Sequence, residues 1–255
     1  MTRSLIKLCL ATLLVVIFSF SFSQEVATDS SIEVPSIRFG VDQANSPEEV
    51  ASSLQLLALL TVLSLAPAIF IMTTAFTRIV VVMSFLRTAI GTPTIPPNQV
   101  VIGLSVFLTF FVMAPTFEKV NEQALQPYLK KEISWDEAKD SAWSATREFM
   151  VKQTYKKDLE LFASFSNSNF ETIEDVGWTH LVPAFVLSEL KTAFIIGFYL
   201  FVPFLIIDLV VASALMSMGM IMLPPAIVSL PAKVLVFLLA DGWTLLVQSL
   251  LGGFR

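Results

Sequence analysis

LVPAFVLSELKTAFIIGFYLFVPFLIIDLVVASALMSMGMIML, residues 181–223, decides the fold. Its length and apolar content exceed what a helix in a soluble core uses and suit membrane-type helices, here about Leu181 to Leu205 and, from Leu209, a second run reaching Leu251. Ionisable residues interrupt it at Glu189, Lys191 and Asp208. Each would cost about 2.5 to 3.5 kcal/mol or more at the centre of a bilayer. Carboxylates cannot reach toward water as far as lysine does. Glu189 and Asp208 therefore either pair across helices or subunits, or line water. Glu189 and Lys191 are two residues apart and project from different helical faces, so their partners lie on other segments or other chains. Lys233 and Arg78, each inside another apolar run, are the available cations; snorkelling near a helix end accounts for Arg78 and Asp241 taken singly.

The same stretch ends in Met216, Met218, Met220 and Met222, followed by Pro224-Pro225. In a helix these methionines would divide between two faces, whereas in an extended segment all four would point one way. Gly219 and the two prolines weaken helix continuation, so the spacing predicts a bent or partly extended segment bearing soft, deformable side chains. Such a surface suits a seal that yields to varied cargo.

Working outward, two further apolar runs cover about Leu54 to Leu86, interrupted only by Arg78, and about Val100 to Phe117. At the start of the chain, Arg3 and Lys7 precede an apolar run from Leu8 to Phe20 that closes on Ser21-Phe22-Ser23 and Gln24-Glu25. That pattern predicts a signal peptide cleaved between Ser23 and Gln24, which places the new terminus outside the cytoplasm. The first helix then runs inward, and Arg78 and Arg87 with the turn from Gly91 to Pro97 fall on the cytoplasmic side, as the positive-inside bias expects. The expected organisation is a signal peptide (1–23), an external arm (24–53), a helical hairpin (54–117), a polar external insert (118–178) and a second hairpin with the methionine segment (179–255). The fold class is all-α.

Eight of the 16 basic and twelve of the 21 acidic residues lie between Glu118 and Trp178. Within this insert Ser134-Trp135-Asp136-Glu137 forms a capping box, and Trp135, Ala138, Ala142, Ala145 and Phe149 follow at helical spacing. Leu159, Leu161, Phe162 and Phe165 on a second short helix could cover that stripe. The formal net charge of −5 and the lack of any long basic block argue against nucleic acid as a partner. A single cysteine, Cys9, excludes disulfide frameworks and cysteine metal sites. With one histidine, His180, and no phosphate-binding loop or nucleophile elbow, no catalytic residue, metal ligand or cofactor site is expected.

Two runs in these helices resemble the signatures of a known family. Pro183 to Phe198 (PAFVLSELKTAFIIGF) looks like the first, and Pro203 to Met220 (PFLIIDLVVASALMSMGM) like the second, of the FliP family of the type III export gate. Ser64 to Pro67, Thr77-Arg78 and Asp241 to Trp243 extend the similarity over nearly all of the chain beyond the signal peptide. The resemblance implies several copies, a pentamer, assembling with FliQ and FliR into a channel in the inner membrane at the flagellar basal body, with much of its mass on the periplasmic side. FlhA and FlhB would be neighbours, membrane lipid a further contact, and unfolded rod, hook and filament subunits the cargo. It places the family's methionine gasket at Met220-Ile221-Met222, where Ile221 interrupts the usual three methionines. Glu189 carries over as a subunit-contact residue, and Asp208 and Lys233 as packing or gate-supporting charges. The virulence injectisome branch shares both signatures, but the signal peptide and long arm resemble the flagellar form. Outside this family, buried carboxylates and proline-broken helices also fit a secondary transporter, although the chain shows no inverted repeat.

Overall fold

The computed structural model describes residues 47–165, 176–220 and 222–254, and side chains from residue 54 onward. The predicted cleavage site at Ser23 and Gln24, and Ile221, lie outside the described residues. All regular structure among the described residues is helical: α1 (Pro47–Thr73), α2 (Phe76–Ile90), α3 (Asn98–Val120), α4 (Gln126–Leu129), α5 (Trp135–Gln153), α6 (Lys156–Phe165), α7 (Trp178–Ser217), α8 (Pro225–Leu239) and α9 (Gly242–Gly252). Three apolar helical stretches are long enough to cross a membrane, Leu54–Thr73, Asn98–Leu129 and Trp178–Ser217, and α8 with α9 makes a fourth if that pair, bent by 64°, counts as one span.

Hydroxyl side chains inside these helices return to their own backbone, as an apolar setting requires. Thr61 donates to Leu57 O and Ser64 to Leu60 O, both at 2.8 Å, and Ser105 and Thr109 do the same on α3. The predicted single helix from Leu54 to Leu86 is in fact two. Thr74 Oγ1 donates to Phe70 O at 2.7 Å and Thr77 Oγ1 reaches back to Ile71 O at 2.9 Å, so side-chain hydroxyls occupy carbonyls at the junction and the helix restarts at Phe76. Gly91 then ends α2 in the left-handed conformation (φ 90°), with Thr92 N–H closing on Arg87 O at 3.1 Å. Between α3 and α4 the helix widens into a π-helical turn, Asn121–Leu125, one turn before Pro127, whose ring cannot accommodate a regular i−4 carbonyl.

The larger correction concerns α7. Instead of ending near Leu205, the helix continues through Pro203 and Asp208 to Ser217 over 40 residues, a length of about 60 Å at 1.5 Å per residue. Asp208 does not break it because its carboxylate is satisfied sideways, by α8. Pro231 likewise stays inside α8, and the break falls at Asp241 (φ 49°).

Helix α7 is the spine of the molecule. Along it pack α2, α8, and the insert helices α5 and α6. The main core joins Ile79, Val82, Met83 and Leu86 of α2 to Ala193 and Phe204 of α7, Phe237 of α8, and Leu246 and Leu250 of α9. Phe85 packs against the one place where α7 has no side chain: a β-carbon on Gly197 would stand 2.5 Å from its ring. In contrast, none of Leu54–Thr73 is buried.

In the insert, the capping box forms as its motif predicts, with Ser134 N–H donating to Glu137 Oε2 at 2.7 Å and Glu137 N–H to Ser134 Oγ at 3.3 Å. Backbone and hydroxyl donors of Ser134 hold the Glu137 carboxyl below its usual range. The expected pairing of α5 with α6 is not the principal one. The stripe of α5 closes on α3, on the π-helical turn and on α7, while α6 packs on α7. Leu159 does join Met150, Val176, Leu181 and Phe185 in a second core, but Phe165 is exposed. The reason is polar: Asp158 of α6 is buried and accepts the Ser188 hydroxyl of α7 at 2.7 Å, and that same oxygen accepts Tyr155 N–H at 3.0 Å. On the solvent side, Lys119 and Lys152 donate to Glu148 at 2.6 and 2.7 Å. Those bonds pull the Glu148 carboxyl down to about 2, so it is charged throughout the physiological range.

Candidate functional site

Three features carry the chemistry of the chain, and all of them hang on α7. The first is a buried ion pair at the end nearer the insert. Arg78 of α2 grips Glu189 of α7 through two parallel bonds, Nε to Oε2 at 2.8 Å and Nη2 to Oε1, the fork geometry that guanidinium and carboxylate share. Both side chains are shut off from solvent. Arg78 is also a junction: Nη2 donates to Gln153 Oε1 of α5 at 2.9 Å, Nη1 to Gly253 O beyond α9 at 3.0 Å, and the guanidinium carbon lies 3.9 Å from the centre of the Phe254 ring. One arginine thus ties α2, α5, α7 and the C-terminal segment together.

The second feature is another ion pair, nineteen residues further along α7, or roughly 28 Å at helical rise. Asp208 accepts from Lys233 of α8 at 2.7 Å through Oδ2 and from the Ser229 hydroxyl at 2.5 Å through Oδ1. Serine and lysine four residues apart on α8 present both donors on one helical face. The Lys233 ammonium also lies against the Gly91 turn, where a β-carbon would stand 3.9 Å from Nζ.

The third is the methionine turn. Met216 lies in the last turn of α7, and Met218 follows as the helix ends. Gly219 takes φ 75°, its N–H bonds Met216 O at 3.1 Å, and Met220 N–H bonds Leu215 O at 3.0 Å. This is a helix C-terminus closed by a left-handed glycine. The chain leaves it bent, and Met216, Met218, Met220 and Met222 are all exposed, Met222 to 98%.

These positions match the residue-level expectations unevenly. Arg78, Glu189, Asp208 and Lys233 come together as two cation–carboxylate pairs within one chain. Arg78 does not snorkel; it is among the most enclosed charges of the molecule, and its bond to Gln153 sets it beside the insert, away from Arg87 and the Gly91–Pro97 turn with which the positive-inside reading grouped it. Lys191 is half-exposed within the single chain and reaches Asp158 only at 3.7 Å. Lying two residues after Glu189, it is turned off the face that meets α2. Sequence reasoning missed Gln153, Ser188, Ser229, Asp158 and the Gly253-Phe254 end. Of these only Ser229, one helical turn before Lys233, carried a local signal.

Similarity to known proteins covers the same helices. The model of the FliP family matches residues 59–250, which spans both ion pairs and the methionine turn. A flagellar biosynthetic protein FliP from Bacillus subtilis is 56% identical over 212 residues, 83% of this chain and 96% of its own length. The protein of that name from Aquifex aeolicus is 47% identical over 247 residues, 96% and 98% of the two chains. One from Pectobacterium carotovorum is 51% identical over 211 residues, 82% of each. With Arg78, Glu189, Asp208 and Lys233 all inside the matched region, the chain belongs to the FliP family.

Proposed function

We propose that the chain is a membrane subunit of the flagellar protein export apparatus, and that copies of it, a pentamer, combine with FliQ and FliR into the channel that passes unfolded rod, hook and filament subunits. FlhA and FlhB are its expected neighbours in the apparatus. The observation that carries the channel reading is the methionine turn: four flexible apolar side chains stand unburied on a bent segment at the end of the longest helix, where neighbouring copies could ring a passage. The unburied apolar stretch Leu54–Thr73 supports it too, since a helix of that composition is completed by lipid or by another chain. In this reading the signal peptide is removed after Ser23, the insert lies on the periplasmic side of the inner membrane, and the protein performs no chemistry of its own. The names of the relatives favour the flagellar over the virulence branch.

Native mass separates this from a monomeric solute carrier. Detergent-extracted chain should run as a discrete multimer that grows on co-expression with FliQ and FliR. A stable monomer indifferent to both would overturn the channel. The seal has its own test. Replacing Met220 and Met222 with alanine in the assembled complex should raise small-ion conductance several-fold while the complex keeps its mass, and a double variant as tight as the parent would remove the methionines from the gate.

A further inference from the structure

A cavity of about 200 Å³ lies between the Gly91–Pro97 turn and the α8–α9 bend, lined by Leu86, Ile90, Ile95, Phe237, Leu238 and Trp243 among others, with Arg87 as its one charged side chain. Arg87 is committed on one side only. Both of its hydrogen bonds leave from Nη1, to Pro96 O at 3.1 Å and Asn98 Oδ1 at 2.7 Å. Its Nε is buried and, among the described residues, has no acceptor. Nη2 is left over as a donor for an oxyanion, and the enclosed Nε leaves the guanidinium charge incompletely answered within the chain. No carboxylate lines the cavity to supply that oxygen from within.

The surroundings point to the kind of anion. Apart from Arg87 and Thr92 the lining is almost wholly apolar, and Ile95, Leu238 and Trp243 run from the cavity to an exposed surface that continues onto Leu239. A free inorganic anion gains nothing from such walls, whereas a phosphate attached to an acyl chain meets both halves of the site. Tryptophan beside an arginine at the end of membrane-type helices is also the composition of a headgroup-level boundary. We propose that this cavity binds a phospholipid, its phosphate held on Nη2 of Arg87 and its glycerol and upper acyl chain lying along Ile95, Leu238 and Trp243. The inference rests on the membrane placement proposed above.

The test uses the full chain, purified in detergent, stripped of lipid and titrated with phosphatidylglycerol under native mass spectrometry. The parent should hold one phospholipid at least tenfold more tightly than Arg87→Gln, with Arg87→Lys between them because the ammonium keeps the charge but not the reach of Nη2. Leu238→Trp fills the cavity while leaving Arg87 in place, and it should lose the same lipid; it decides the matter if Arg87→Gln fails to fold. A chain that stays in the membrane but binds lipid equally in both variants overturns this proposal alone, whereas a parent chain absent from the membrane fraction overturns the placement as well. Inorganic phosphate competing at millimolar concentration would make the site one for a free anion and overturn it. So would protection of Arg87 from a guanidine-modifying reagent on assembly with other chains, with no phospholipid retained, since a partner's carboxylate would then be the occupant.

Discussion

Replacing Glu189 with alanine is expected to destabilise the folded chain by about 3 to 5 kcal/mol, the cost of leaving one member of a buried ion pair without its counter-charge. Arg78 would keep Gln153, Gly253 O and the Phe254 ring, but none of these carries a negative charge, and water cannot reach the guanidinium to take the place of the carboxylate. The measurement is a thermal melt of the solubilised single chain, alongside the yield of membrane-inserted protein. Glu189→Gln should lie between parent and alanine because an amide oxygen can still accept from Nε. The double variant Arg78→Met with Glu189→Leu should recover much of the loss, since a buried pair is often replaceable by apolar side chains of similar volume even where half a pair is not tolerated. A single chain of Glu189→Ala that melts like the parent would show that the pair contributes nothing to the fold. The same result would return Glu189 to a role between subunits. As the geometry stands, that role is indirect: loss of the large complex in the alanine variant would follow from a weakened junction of α2, α5, α7 and the C-terminal segment.

The two ion pairs illustrate how far sequence reasoning reaches in an apolar chain. Carboxylates at Glu189 and Asp208 were legible as groups needing partners because desolvation is costly at any rotation of the helix. Which cation each would find was not legible. Arg78 and Lys233 lie 111 and 25 residues away in sequence, and helices apolar on every face give no stripe from which to read an orientation. For the same reason the extent of α7 was not legible. Asp208 and Pro203 look like a boundary in one dimension, yet Lys233 and Ser229 satisfy the carboxylate from the side and the helix runs on.

Local signals fared better where the physics is local. The capping box at Ser134 and Glu137 formed as its motif requires, and glycine and paired prolines marked the bend that bears the methionines. The insert was harder. Its short helices carry charges at a density that makes Asp158 indistinguishable from its neighbours by sequence, although among the described residues of the insert it is the charge that becomes buried, against Ser188. The end of the chain carried no signal either, because the role of Gly253 and Phe254 arises only from the return of α9 to Arg78.

The second pair should behave asymmetrically when its members are removed singly. Lys233 is the more enclosed partner, its side chain 6% exposed against 32% for Asp208. In Asp208→Ala the ammonium is stranded among apolar side chains beside the Gly91 turn, and the Ser229 hydroxyl loses its acidic acceptor while keeping only a 3.2 Å bond to Ala226 O. A cost of about 1 to 3 kcal/mol is expected, below that of Glu189→Ala because part of the space left by Asp208 opens to solvent. In Lys233→Ala the remaining carboxylate still holds Ser229 and can recruit water on its open side, so that variant should melt closer to the parent. Differential scanning of the two single variants in detergent gives the comparison directly. Equal losses would mean that the pair is screened alike on both sides. A larger loss in Lys233→Ala would mean that Asp208, not Lys233, is the buried charge in the assembled protein, and that its open side is covered there by another chain.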